Sequence, residues 1–219
     1  MEKTQYKVYF AGALFSHKDL TGNALLASYI ERLSLEKYKI FLPQNREPNT
    51  NRRPEIRDQD LLLLFNCDVG LFNFDSPELD SGTVMEFAYA KMADIPSVQL
   101  RTDFRNSGDQ TGGEPWNLMC SNYPRTNTLL INGMLEYHQA FVSTSIESTI
   151  EAYYTNLAKK VIEKLNDVIS FNSLFQKDKQ KAISLYSWAR TTIGEGMKKL
   201  FSDDDIHNLV ESKFKKGLI

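Results

Sequence analysis

The sequence is poor in the residues that mark special chemistry or special compartments. It has two cysteines and three histidines in 219 residues, and its formal net charge is only -2. Cys67 and Cys120 form no metal-spaced pair, and His17, His138 and His207 are scattered, so neither a metal nor another cofactor is expected. Cys67 lies in a hydrophobic run and reads as a buried, reduced thiol of a cytoplasmic protein. A sequence pI near 6.0 argues against a surface built to grip phosphate backbones, so no nucleic-acid polymer is expected as a partner. Long apolar runs are missing too. The longest, Leu61 to Phe65, falls far short of the about 20 residues of a membrane span, and no leader segment is expected ahead of the first strand. Gly108, Gly112 and Gly113 sit in a polar loop with no Gly-Lys-Ser/Thr ending, which excludes a phosphate cradle.

What is present is a chain with 42% hydrophobic residues and a regular alternation of strand and helix signals. The strands are expected at Lys7–Gly12, Tyr38–Leu42, Cys67–Phe74, Ile95–Leu100 and Thr128–Ile131. Helical spacing runs from Asp19 to Ser34, Ile56 to Asn66, Asp80 to Met92 and Ile146 to Val168, while Gln44 to Arg57 is a polar loop. This predicts an α/β fold with a doubly wound, mostly parallel five-stranded sheet of the flavodoxin or Rossmann kind. The polar loops after Phe10, Leu42, Phe74 and Leu100 then share one sheet edge, where such folds bind ligands. Residues 1–169 form this expected catalytic domain. Residues 170–219 form a helical C-terminal extension, with segments at Ser173–Thr192 and Asp203–Lys216 separated by Gly194-Glu195-Gly196. Its expected role is structural or oligomer-forming.

The chemistry is expected among the carboxylates between Asp60 and Glu86. Acidic runs are ordinarily solvated surface, and that reading covers Glu78 and extends to Asp75. It fits Glu86 poorly, because Val84, Met85, Phe87, Ala88 and Ala90 surround it in a helix that must pack on the sheet. Asp80 lies six positions earlier, at the helix start, and Asp60 can approach from the preceding helix. Two or three carboxylates around a cleft suit glycosidic-bond cleavage, one attacking the anomeric carbon and another sharing a proton with the leaving group. Tyr9, at the end of the first strand, is placed to orient the nucleophile.

These residues carry a resemblance. Tyr9-Phe10-Ala11-Gly12 with Phe15, Asp60 followed eight positions later by Asp68, and Asp80-Ser81-Gly82-Thr83 leading to Glu86-Phe87-Ala88-Tyr89-Ala90 resemble the nucleoside 2-deoxyribosyltransferase family over roughly residues 6 to 135. Arg101-Thr102-Asp103-Phe104-Arg105 and Asn117-Leu118-Met119 are similar to further segments of that family. The resemblance implies that Glu86 is the nucleophile of a covalent deoxyribosyl-enzyme, that Tyr9 orients it, and that Asp60 exchanges a proton with the departing and arriving base. It further implies that Asp80 holds the sugar 5′-hydroxyl, Met119 helps position Glu86, Phe15 stacks on the base and Gln44 reads its edge. Asn117 would reach the sugar in a neighbouring subunit's site, which implies a homo-oligomer acting on a 2′-deoxynucleoside and a free nucleobase in nucleotide salvage.

Two features depart from that pattern. The Gln44–Arg57 loop carries Arg46, Arg52, Arg53 and Arg57, more positive charge than a neutral nucleoside needs, and the helical extension lies beyond the family's compact domain. A hydrolase of nucleosides or nucleoside 5′-monophosphates is therefore a second expectation, and a non-catalytic nucleotide-sensing module a third. The apolar first loop, Ala13-Leu14-Phe15, favours nucleosides. Four intact site residues, Tyr9, Asp60, Asp80 and Glu86, count against the sensor.

Overall fold

All five expected strands appear in a computed structural model that describes residues 4–46, 54–109 and 111–219. The strands are β1 (Tyr6–Ala11), β2 (Tyr38–Phe41), β3 (Val69–Asn73), β4 (Ser97–Arg101) and β5 (Thr126–Leu130). They form one sheet in the order β2-β1-β3-β4-β5, and every pairing is parallel. The winding direction therefore reverses at β1, and the crevice beyond the carboxyl ends of β1 and β3 is the place such a sheet offers a ligand. Arg52 and Arg53, two of the cations noted in the loop, lie outside the described residues.

Alternation along β1 divides its side chains between two cores. Val8 and Phe10 point to one face, where α1 (His17–Leu33) and α5 (Ile146–Ile169) cover the sheet with Leu26, Ile30, Leu157, Val161 and Leu165. Tyr9 and Ala11 point to the other, beneath α2 (Pro54–Asn66) and α3 (Ser81–Met92). The helices start where local chemistry dictates. Ser16 and Asp19 form a capping box on α1, and Asp80 caps α3. Pro54 opens α2 as its first residue, two positions ahead of the expected start, where a missing N–H costs nothing. A short helix, α4 (Gly133–Ala140), was not expected; Asn132 caps it by accepting from the Leu135 N–H at 3.0 Å.

The C-terminal extension holds three helices rather than two: α6 (Lys179–Ile193), α7 (Glu195–Leu200) and α8 (Asp203–Lys215). Gly194, at φ 119°, turns the chain so that the Gly-Glu-Gly segment leads directly into α7. These helices enter the same core as α2 and α3: Tyr186, Ala189, Met197, Phe201, Ile206 and Val210 pack with Leu64, Phe65 and Phe87. Each large apolar side chain so buried contributes roughly 1.5–3 kcal/mol. Polar contacts pin the extension at the amino edge of the sheet. Asp94 accepts from Arg125 (2.6 Å), the Ser173 hydroxyl (2.8 Å) and the Leu174 N–H (2.9 Å), while Arg125 also donates to the Leu218 carbonyl. Lys216 pairs with Asp68 at 2.6 Å, and the buried Lys213 ammonium donates to the Cys67 carbonyl.

Both contacts make measurable predictions. Asp94→Ala strands the Arg125 guanidinium in the interior without its anion, so urea unfolding is expected to show a loss of about 3–5 kcal/mol. Burial pushes the Lys213 ammonium down to about 8. An unfolded lysine stays near about 10.4, so between these values the folded state binds fewer protons and stability rises with pH. The gain is lost as pH falls through the folded value. Urea midpoints measured upward from neutral pH should show this rise, and Lys213→Met should flatten it.

Candidate active site

Two helical stripes face each other across the α2–α3 crevice. On α2 the stripe is Ile56, Arg57, Asp60 and Leu61; on α3 it is Ser81, Gly82, Met85, Glu86 and Tyr89. Both sets recur at i and i+4, which places each on one side of its helix, while Thr83, Phe87 and Ala90 turn inward to the sheet. The cleft between them has a volume of about 530 Å³. Helical periodicity, not chance, thus brings Asp60 and Glu86 to the same space.

Below this space the sheet supplies the phenol. Tyr9, fully buried, donates its O–H to Glu86 Oε1 at 2.6 Å, a short bond of the kind an ionised acceptor makes. Burial pushes the phenol well above its ordinary value, and the Glu86 and Asp60 carboxylates raise it further. Tyr9 is therefore a permanent donor across the physiological range, and its bond fixes the rotation of the Glu86 carboxylate. Asp80 stands at the amino end of α3, where Oδ2 accepts from the Thr83 N–H (2.7 Å) and hydroxyl (2.8 Å). Among the described residues, no bond falls on its Oδ1.

The other expected residues are not part of the cleft wall. Phe15 is 66% exposed in the loop before α1, and Met119 is 71% exposed in a 3-10 turn spanning Leu118–Cys120. Asn117 caps that turn, accepting from the Met119 N–H at 2.9 Å. Gln44, in the 3-10 turn Pro43–Asn45, turns its amide toward α1, donating to the Leu20 carbonyl and accepting from Asn23. Asp68, despite its spacing from Asp60, lies at the opposite, amino edge of the sheet, bound to the Lys7 N–H and Lys216. His17 is the exposed first residue of α1. Among the described residues, no three His, Cys, Asp or Glu side chains gather as a metal would require.

Two residues frame the site in a role that the sequence did not give them. Arg101, 1% exposed at the end of β4, donates to the carbonyls of Phe74, Ser76, Asp103 and Arg105, tying together the loops after β3 and β4. Asp75 is not a solvated surface charge: it accepts from the Thr102 N–H and hydroxyl and from the Asp103 N–H, bridging the same two loops. An arginine closing a strand was the available signal for the first. For Asp75, nothing local separates it from the other acids of its run.

A sequence profile of the family described as nucleoside 2-deoxyribosyltransferase matches residues 8–119. No curated protein is significantly similar to the chain. Among solved structures, the chain is similar to a conserved protein from Enterococcus faecalis V583, at 21% identity over 75% of this chain and 99% of that one, with a TM-score of 0.47. It is also similar to a 2-desoxiribosyltransferase from Leishmania mexicana, at 19% identity over 68% of this chain and 97% of that one, with a TM-score of 0.46. A 2-deoxyribosyltransferase from Bacillus psychrosaccharolyticus matches at 18% identity over 52% of this chain and 79% of that one, with a TM-score of 0.42.

The buried pair has a spectroscopic signature. In wild-type protein, Tyr9 should add nothing to the phenolate absorbance that rises near the ordinary tyrosine value, which Tyr9→Phe checks by difference. In Glu86→Gln the ionisation of Tyr9 should fall, yet stay above the ordinary value, because burial is the larger cause.

Proposed function

The chain belongs to the nucleoside 2-deoxyribosyltransferase family, and from that premise we propose that it moves 2-deoxyribose between nucleobases by double displacement at the α2–α3 cleft. The observation that carries this reading is the Tyr9–Glu86 hydrogen bond in a cleft that Asp60 shares. The Glu86 carboxylate attacks the anomeric carbon; the base–sugar C–N bond breaks, and its electron pair leaves with the base. Asp60 gives the departing nitrogen a proton. An incoming base then attacks the glycosyl-Glu86 ester, Asp60 takes its proton back, and the carboxylate is freed. Both half-reactions balance without a cofactor.

The remaining residues take roles around this centre. Asp80 holds the sugar 5′-hydroxyl through the oxygen it does not use on Thr83, and Phe15 and Gln44 contact the base. Met119 and Asn117 project from an exposed turn, and we assign Asn117 to the site of a neighbouring copy in a homo-oligomer. The exposed apolar side chains of Leu118 and Met119 in that turn support such an assembly. Two buried unpaired thiols support a reducing, cytoplasmic setting, and among the described residues no helix is long and apolar enough to cross a membrane. A second reading, hydrolysis of a nucleoside or its 5′-monophosphate, is favoured by one observation: Arg57 stands in the cleft wall.

The test is to incubate the protein with a 2′-deoxynucleoside and a second free base and follow the products by chromatography. Base exchange that disappears in Glu86→Ala, and falls by roughly 10²–10⁴ in Asp60→Asn, supports the transferase. Free sugar without exchange supports the hydrolase. No turnover across a broad donor panel overturns both and leaves a sensor.

A further inference from the structure

The helix that carries Asp60 is held at its first turn by the C-terminal extension. Asp58, 4% exposed, accepts two bonds from Arg57 on its single oxygen Oδ1, at 2.9 Å from Nε and 2.6 Å from Nη2. The same guanidinium donates to the Ile193 carbonyl, the last residue of α6, at 3.1 Å. The other oxygen, Asp58 Oδ2, lies against the backbone of Gly196, so close that a Cβ there would fall inside its van der Waals envelope. Glycine is a poor helix former, yet it sits inside α7 where a Cβ would collide with the buried Asp58 carboxylate. Further along α2, Leu62 lines a groove with Leu200 and Phe201, and the Phe65 ring meets Tyr186 edge-on at 5.6 Å. Asp58, Leu62 and Phe65 recur at i, i+4 and i+7, so one stripe of α2 faces the extension while the Asp60 stripe faces the cleft.

We propose that the turn from Ile193 to Gly196, clamped on Asp58 and Arg57, is the positioning element for the proton donor Asp60. Asp58 and Asp60 share one rigid helical turn, so a displacement at the clamp is passed to the Asp60 carboxylate. The clamp also seats Arg57 in the cleft wall. The extension thereby becomes part of the site's geometry without touching substrate. This rests on the reading of Asp60 as the acid given above. Misplacing a catalytic group by an ångström costs on the order of 10²-fold in rate, which sets the scale of the effect.

The test uses the full chain with two clamp variants, Gly196→Ala and the milder Asp58→Asn, and Lys216→Ala as a control that loosens the extension at its far end. Three quantities are read: base-exchange kinetics, the pH profile of kcat, and amide hydrogen exchange across 54–66 and 81–92. The clamp variants should lower kcat roughly 10- to 100-fold with little change in KM, and should move the limb of the profile that reports the acid. Amide exchange should quicken in the first turn of α2 and hold steady in α3, and Lys216→Ala should keep the wild-type kcat. Unchanged kcat, profile and amide exchange in both clamp variants overturns the proposal, as does an equal loss of kcat in Lys216→Ala. If wild-type protein shows no Glu86-dependent turnover, the enzymatic reading fails and takes the role of Asp60 with it. The amide-exchange arm still decides whether the clamp holds α2.

Discussion

A parallel sheet has no face it can leave to water, and that constraint shapes the whole molecule. One face is closed by α1 and α5, whose apolar stripes meet Val8, Phe10, Val69 and Leu71. The other carries α2 and α3, and α6, α7 and α8 complete the same core from the far side of α2. The extension is therefore woven into the hydrophobic layer on which the candidate site is built. Phe65 shows this at a single residue, packing against Tyr186 and Phe201 from the extension while its helix presents Asp60 to the cleft.

The same layering explains how a cluster of acids is tolerated. Glu86 and Asp60 are half-buried, the first held by a fully buried phenol from the sheet below. Asp80 is stabilised at a helix start by the Thr83 N–H, where negative charge is favoured. Asp58 is covered, but two charge-assisted bonds from Arg57 to its Oδ1 offset the cost of taking it from water. Glu86, Asp80 and Asp58 thus each have their own source of stabilisation, and these three need not compete for one cation. Arg101 does for the loops what Tyr9 does for the nucleophile: its buried guanidinium gathers four carbonyls of the two loops.

The elements that were legible in the sequence are those written in local periodicity. The five strands, the helices α1, α2, α3, α5, α6 and α8, and the capping position of Asp80 follow from spacing and polarity over a few residues. The helices α4 and α7 were not, because each is short and begins in a glycine-containing segment that reads as a break. The candidacy of Asp60, Glu86 and Tyr9 was legible too, from an awkward carboxylate on a packed helix and from residues at a strand end and a neighbouring helix, but their contact was not. Asp75 and Asp68 were not separable from their acidic neighbours, because what distinguishes them is a partner 27 or more residues away in sequence, Thr102 for one and Lys216 for the other.

By itself the sequence determined the fold class, the helix faces and the identity of the acids, because these depend on periods of two and of 3.6 residues. Tertiary structure alone decided which acids meet. It put Tyr9 beneath Glu86 and sent Asp68 to the opposite sheet edge. It also laid Gly196 on Asp58, joining residues far apart in sequence. The physical reason is that burial pairs residues by volume and desolvation across the whole chain, and no local pattern records which distant partner will cover which charge.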